Sequence, residues 1–252
     1  MWLTPRNIIF AVILVMLTVW SAVATGFNLS KLLDSLWRFK EIFELWFPPN
    51  WERAGSAFNA VLITMQMAFL GTFLALVIVL PLSFLAAVNM SPNIVICQGM
   101  RGIFSFLRSI PDVVIGLILV MAIGPGTFPA VMAILLHNIG VLGKLIAELV
   151  EASDKGPQEA VRSMGLGSTM VALYGILPQI MPNVLSHYFY RFEVAIRSSV
   201  ILGFLGGGGI GQLLFNSFRT FQYTDVTTYV IFVMLLVILV DMIGGWIRQR
   251  VI

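Results

Sequence analysis

The 252-residue chain is 59% hydrophobic and only 11% charged, with a formal net charge of +3. Soluble domains carry about 25% charged residues, so this composition indicates a membrane protein and argues against an ordinary soluble enzyme or a nucleic-acid-binding surface. The single cysteine, Cys97, excludes an intrachain disulfide and a thiolate metal cluster.

Six segments are long and apolar enough to cross a bilayer, which requires about 20 residues each. They predict an all-α, polytopic membrane fold. Pro111 is expected to kink the third segment, whose start could lie near Ile94, and Pro81 could bend the long second one. The predicted spans are 8–27, 57–88, 102–124, 128–150, 170–205 and 228–247.

Residues 1–57 are expected to form a first span with an outer segment, and residues 58–252 a core transmembrane domain. Arg6, the following apolar run and Ala22-Val23-Ala24 also resemble a secretory signal peptide, although the run is longer than a signal needs. Residues 28–56 have the spacing of an amphipathic helix on the outer membrane surface. A helix packed against the other spans is the alternative interpretation.

The distribution of basic residues favours a cytoplasmic N-terminus. With that orientation, the C-terminus and the polar segment 151–169 are also cytoplasmic. The inner basic residues are Arg6, Arg101, Lys144, Lys155, Arg162, Arg248 and Arg250, and the outer ones are Lys31, Arg38, Lys40, Arg53 and Arg219.

The polar segment has the pattern of a short helix at about 156–169. Gly156-Pro157 is expected to open it, because proline is tolerated at the first helical position. Glu159 in the first turn complements the positive end of the helix dipole. Gly165 and Gly167 are expected to end the helix. A two-turn helix between two membrane spans can move together with them.

The fifth span contains charged residues, which cost on the order of 2.5–3.5 kcal/mol each at the bilayer centre. Glu193 and Arg197 are four residues apart and can pair, in which case they fix the helix inside the bundle. Alternatively, Arg191 or Arg197, next to Ser198, lines a translocation path and meets an anionic substrate. His187 is expected to pack or to form a hydrogen bond.

A glycine run follows the fifth span. A nucleotide-binding loop requires lysine and then serine or threonine directly after its glycines, whereas Gln212-Leu213-Leu214 follow here. Any ATP site must therefore be on another chain. The run instead predicts close helix packing and a flexible outer turn that suits a gate. Its glycines are Gly206, Gly207, Gly208, Gly209 and Gly211.

Segment 159–178 resembles the cytoplasmic coupling motif of ATP-binding-cassette (ABC) importer permeases, E-A-A, three residues, G, nine residues, I-x-L-P. Val161 replaces the second alanine, and Gly175 stands at the isoleucine position, with Ile176 one residue later. The matching residues are Glu159, Ala160, Gly165, Leu177 and Pro178.

A narrower likeness, over about 58–252, is to the permease of phosphonate-type importers, a type that phosphonate and phosphite systems share. The glycine run departs slightly, since Gly207 and Gly208 stand where a more varied V-G-A-G-G-I-G pattern is expected. The segments that carry the likeness are Gly124-Pro125-Gly126, His137 to Lys144, Leu173 to Gln179, Tyr190 to Glu193, Arg197-Ser198, Gly206 to Gly211 and Arg219 to Tyr223.

This resemblance implies a type I ABC importer permease bundle in a bacterial plasma membrane. Two permease subunits, expected to be copies of this chain, would form the path. Two ATPase subunits, carrying ATP and Mg²⁺, would bind the coupling helix, and a periplasmic or lipid-anchored binding protein would deliver a phosphorus oxyanion. The chain itself would bind no cofactor or metal and would not be an enzyme.

Two other transport functions stay open. An ABC permease for another small solute, such as an amino acid, would share the coupling motif. A proton-coupled secondary transporter could use Glu193, Asp241 and His187 as a relay, although Asp241 lies two turns from Arg248 and can pair with it. An intramembrane enzyme is disfavoured, because the two histidines lie fifty residues apart and no metal-spaced motif accompanies them.

Overall fold

The computed structural model describes residues 5–251. They divide into two compact units, Met1–Pro48 and Pro49–Ile252. The first unit contains a long apolar helix, which is exposed along almost its whole length, and two short helices in the segment where the sequence predicts an amphipathic helix. These helices are α1 (Pro5–Ala24), α2 (Leu29–Asp34) and α3 (Leu36–Trp46).

The described residues of the second unit also form helices and no strands. A 3-10 turn, Trp51–Arg53, leads into its first helix, and two stretches have the wider π-helical winding: Val171–Ile176, which precedes α10, and Gly203–Gly207, which follows it. The helices are α4 (Ala54–Ala86), α5 (Ile94–Ser109), α6 (Asp112–Ile123), α7 (Thr127–Ala152), α8 (Lys155–Ser163), α9 (Ser168–Met170), α10 (Leu177–Leu202), α11 (Gly209–Arg219) and α12 (Tyr223–Val251).

The helices confirm a polytopic, all-α fold. Among the described residues four helices are long and apolar enough to cross a membrane, and the number rises to six if each of two bent pairs counts as one span. The first bent pair is α5 with α6, which meet at 84°. In the second pair, the run Ser168–Gly207 meets α11 at 58°.

The third predicted span is broken more sharply than a kink. Proline disfavours the helical conformation in the residue before it, and Ile110 is extended, with φ −91° and ψ 122°. Helix α5 therefore ends at Ser109, and α6 begins directly after Pro111. The first helix of the pair starts at Ile94, eight residues before the predicted span. Pro81, by contrast, lies inside the unbroken helix α4.

The core lies where α4, α7 and α10 pack together. Helix α4 presents small side chains to its neighbours, and a Cβ added to Gly71 would lie 2.8 Å from Cγ2 of Ile134 on α7. Small residues allow helix backbones to approach closely, which is the common solution inside membranes. The buried residues of α4 are Ala57, Ala60, Thr64, Met67, Ala68, Gly71, Thr72, Ala75, Val79, Ser83 and Ala86.

Candidate functional site

Helix α8 is the short helix that the polar segment predicts. The side chain of Asp154 accepts a hydrogen bond from the backbone N–H of Gly156 at 3.0 Å and caps the helix start, so the helix begins at Lys155. Beyond its end, Gly165 has φ +74°, a left-handed conformation that favours glycine, and its N–H donates to the carbonyl of Arg162 at 2.9 Å.

Helix α8 has one buried face and one exposed face. Gln158 and Val161 are buried, whereas Glu159 and Ala160 are exposed. Glu159 forms no hydrogen bond or ion pair within the described part of the chain. A free carboxylate beside a small side chain leaves this face open for contact with another molecule.

The buried face of α8 is attached to the segment that enters α10. The side-chain amide of Gln179 accepts from the N–H of Asp154 at 2.9 Å and donates to its carbonyl at 3.2 Å. A Cβ added to Gly175 would lie 3.1 Å from Cα of Gln158. This close approach explains why glycine stands where the motif has isoleucine. Leu177 begins α10 and is half-buried, and Pro178 next to it is exposed.

Arg191 is buried on α10 and clasps one acceptor. Its Nε and Nη2 donate to Oδ1 of Asn138 on α7 at 2.9 and 2.6 Å. The side-chain nitrogen of Asn138 donates to the hydroxyl of Thr72 on α4 at 3.0 Å. The network therefore joins α4, α7 and α10, and it occupies the Nε–Nη2 edge of the guanidinium.

Glu193 and Arg197 form the predicted pair at 2.6 Å, which confirms that interpretation of their spacing. Arg197 also contacts Asp241 on α12 at 3.3 Å. The expected pairing of Asp241 with Arg248 lies outside the described side chains, since that of Arg248 is not among them. Ser198 is half-buried beside this group.

The glycine run is a tightly packed turn between α10 and α11. Gly206 has φ +86°, and a Cβ there would lie 3.0 Å from Cβ of Pro125. Gly207 leaves similarly little room, since its added Cβ would be 3.0 Å from that of Ala130. The N–H of Ile210 donates to the hydroxyl of Thr64 at 2.9 Å, which ties the turn to α4. Gly208, Gly209 and Gly211 complete the run.

A polar groove between α5 and α7 was not predicted as a site. Two adjoining cavities of about 180 and 250 Å³ lie along it, and both are lined by Lys144 and Glu148. The ionisable residues of this α5–α7 groove are Arg101, Arg108, His137, Lys144, Glu148 and Glu151.

The sequence does contain a pattern that indicates this groove: ionisable residues are regularly spaced within the apolar helix α7. The ionisable α7 residues of the groove, together with Val141, recur at alternating spacings of four and three, which places them on one helix face. They are His137, Val141, Lys144, Glu148 and Glu151. Within the range 5–251, no group of three or more His, Cys, Asp or Glu side chains could hold a metal ion.

Comparison with known families gives a match over most of the second unit. Residues 79–252 match the model of the family described as "Binding-protein-dependent transport system inner membrane component". The segment includes α8, the groove and the glycine run.

Individual relatives agree with this family. The chain is 34% identical over 232 residues to the phosphate-import permease protein PhnE of Mycolicibacterium smegmatis, covering 92% of this chain and 44% of that protein. It is 36% identical over 203 residues to the phosphite transport system permease protein PtxC of Stutzerimonas stutzeri, covering 81% and 74%. The chain thus spans less than half of the first relative.

Solved structures share the fold. A chain in the MetNI methionine ABC transporter, captured in inward facing conformations, superposes with a TM-score of 0.67 at 21% identity, over 77% of this chain and 95% of that one. A chain of an amino acid ABC transporter crystallised with histidines gives a TM-score of 0.64 at 20% identity, over 77% and 93%.

Proposed function

The chain belongs to the family of binding-protein-dependent transport system inner membrane components, and from this premise we propose that it is the permease subunit of an ABC importer for a phosphorus oxyanion. The observation that carries the proposal is the family match over residues 79–252. This segment contains α8, on which Glu159 is exposed. Identities of 34% and 36% to permeases named for phosphate and phosphite support the substrate class.

Helix α8 is the coupling helix in this proposal. Its Glu159–Ala160 face would contact an ATPase subunit, which would bind and hydrolyse ATP with Mg²⁺. The two hydrogen bonds between Gln179 and Asp154 support transmission of the movement into α10. Among the residues that match the coupling motif, Gly165 would end α8 and Leu177-Pro178 would start α10.

Substrate would pass between two copies of the permease, with α10 forming part of the wall. Helix α10 carries four candidate residues of this wall: Arg191, Glu193, Arg197 and Ser198. The two arginines already donate hydrogen bonds within the protein, so fewer of their N–H groups are available to a substrate. The glycine run at the far end of α10 would reshape as a gate during alternating access.

The assembly is proposed to lie in a bacterial inner membrane, with both termini and α8 cytoplasmic. A binding protein would then deliver substrate to the opposite face, next to the glycine run. The first domain, 1–57, would add one span and an outer segment to the core domain 58–252.

Substrate-stimulated ATP hydrolysis in nanodiscs tests the proposal. The chain would be co-expressed with its candidate ATPase and binding protein, and methylphosphonate, phosphite, phosphate and methionine would be compared. We expect a phosphorus oxyanion to stimulate ATP hydrolysis, and we expect Glu159→Lys to lose this stimulation. The control Glu41→Lys, at an exposed position of α3, should keep it.

A second variant tests the end of the coupling helix. Gly165→Pro removes the N–H that bonds to Arg162 and cannot adopt φ +74°. Transport should be abolished while membrane insertion persists, and normal uptake by a well-expressed variant would refute the coupling assignment.

The other outcomes of the ATPase assay select between functions. Stimulation by methionine alone would retain the permease and discard the phosphorus substrate. Failure of any ATPase to bind would overturn the ABC function and leave a proton-coupled transporter as the function to test.

A further inference from the structure

The α5–α7 groove carries three cationic side chains along about 10 Å of helix, since Arg101 and Arg108 are seven residues apart on α5 and each residue adds about 1.5 Å. Lys144 on α7 lines both of its cavities. A row of cations in a polar groove of a membrane bundle is an arrangement that attracts anions.

The three cations differ in how far their charge is neutralised. Arg101 is fully engaged: it pairs with Glu151, and its Nε donates to the carbonyl of Ala86 at 2.8 Å. Lys144 has a loose partner, Glu148, at 3.7 Å. The side chain of Arg108 forms no ion pair or hydrogen bond with any residue in the described range.

Arg108 also lies near the middle of the bent pair α5–α6, one residue before α5 ends. The side chain of Arg108 is exposed, and an unpaired arginine within a membrane-spanning segment costs up to about 2.5–3.5 kcal/mol on insertion scales. Such residues in membrane proteins face a water-filled cavity or a ligand. The cavity of about 250 Å³ that Arg108 lines is large enough for several waters, each of which takes about 30 Å³ in the liquid.

His137 provides a further group at the helix break. Its Nδ1 lies 3.1 Å from the carbonyl oxygen of Ile110, a residue freed from helix by the following proline. A carbonyl can only accept, so Nδ1 carries the proton in this hydrogen bond, and Nε2 of the neutral ring is an acceptor that can pair with a P–OH group of a partly protonated anion. His137 lines the same cavity as Arg108 and Lys144.

We propose that Arg108, with Lys144 and His137, forms an anion-binding station on the translocation path, and that its ligand is a tetrahedral phosphorus oxyanion. The inference rests on the proposed function. A guanidinium fork matches two oxygens of such an anion, and Lys144 supplies a mobile point charge. The committed donors of Arg191 and Arg197 leave these two arginines less able to take that role.

Glu148 can help the station to release its bound anion. It balances Lys144 when the station is empty, and the arriving anion must replace this carboxylate as the partner of Lys144. Conduction requires binding that is favourable enough to enter but weak enough to leave. A competing carboxylate 3.7 Å from the lysine provides that balance.

Uptake into proteoliposomes that contain the full chain, its ATPase and its binding protein tests the station. We expect Arg108→Gln to reduce the rate of radiolabelled methylphosphonate uptake at least tenfold. Arg108→Lys, which keeps the charge but loses the fork, should recover part of it. The control is Arg38→Gln, an exposed arginine on α3 near the ring of Trp37, which should take up substrate at the wild-type rate.

Cysteine chemistry separates a charge requirement from a packing requirement. In Arg108→Cys, a cationic aminoethyl methanethiosulfonate should restore uptake, an anionic sulfonatoethyl reagent should not, and saturating methylphosphonate should slow labelling. The buried native Cys97 is replaced by alanine in this background.

Uptake by Arg108→Gln within twofold of wild type, or a labelling rate that methylphosphonate leaves unchanged, would overturn the station while the proposed function stands. A wild-type complex that takes up no phosphorus anion would instead refute the proposed function. Equal uptake by Arg108→Gln and Arg108→Lys would show that a positive charge at position 108 contributes nothing by itself, which would overturn the electrostatic role of the station.

Discussion

The contact between α5 and α7 at Gly140 can be tested by adding one methyl group. A Cβ added to Gly140 would lie 2.5 Å from the backbone nitrogen of Arg108 and 2.8 Å from the carbonyl oxygen of Phe104. Ordinary van der Waals contact begins at 3.4 Å. Both obstacles are backbone atoms, which no rotamer change can move, so α5 must retreat as a whole.

The expected loss follows from this geometry. The backbone of α5 has to shift by roughly 0.6–0.9 Å to restore ordinary contact distances. Overpacking of this kind costs about 1–3 kcal/mol, and replacing glycine by alanine in a helix returns about 0.5–1 kcal/mol. Gly140→Ala should therefore lower the free energy of unfolding by about 1–2 kcal/mol, or the melting temperature by about 2–8 °C.

Gly102→Ala on α5 is the matched control, because a Cβ added there meets nothing within 4 Å. It should melt at the wild-type temperature or above it. Fluorescence-detected size-exclusion chromatography after heating, on detergent-purified protein, measures both variants. The packing argument fails if Gly140→Ala melts at or above the wild-type temperature while Gly102→Ala behaves as expected.

Two further substitutions test the buried polar contacts by the same melting assay. Asn138→Leu removes the acceptor of Arg191 and should cost about 1.5–3 kcal/mol, as for a lost hydrogen bond to a charged group. Asn138→Asp keeps an acceptor and should melt well above the leucine variant; a leucine variant within 1 °C of wild type would contradict the role of the network. Thr64→Val leaves the buried N–H of Ile210 without its acceptor and should cost about 1–3 kcal/mol. Thr64→Ser keeps the hydroxyl, and equal melting of the two Thr64 variants would show that this hydrogen bond contributes nothing.

The membrane class, the helical content and the region of each core span follow from the length of the apolar segments. The short polar helix and the break at Pro111 follow from local rules, because capping groups and proline act on their neighbours in sequence. The pairing of Glu193 with Arg197 was predictable for the same reason, since residues four apart share a helix face.

Contacts between helices were not predictable from one sequence. Arg197 reaches Asp241 across 44 positions, and Arg191 reaches Asn138 across 53. Periodicity states which face of a helix is polar but not which neighbouring helix it meets. The groove was missed for this reason, since its two rows of residues become one site only when α5 packs against α7.

Side chains at three positions along α10 bond it to other parts of the protein: Gln179 to the start of α8, Arg191 to α7, and Arg197 to α12. A rotation of α10 by itself would have to break all three attachments at once. The bundle is therefore expected to behave as a frame in which α7, α10 and α12 turn together. Arg108 lies on α5, whose backbone leaves no room for a Cβ at Gly140 of α7, so the station is expected to turn together with this frame.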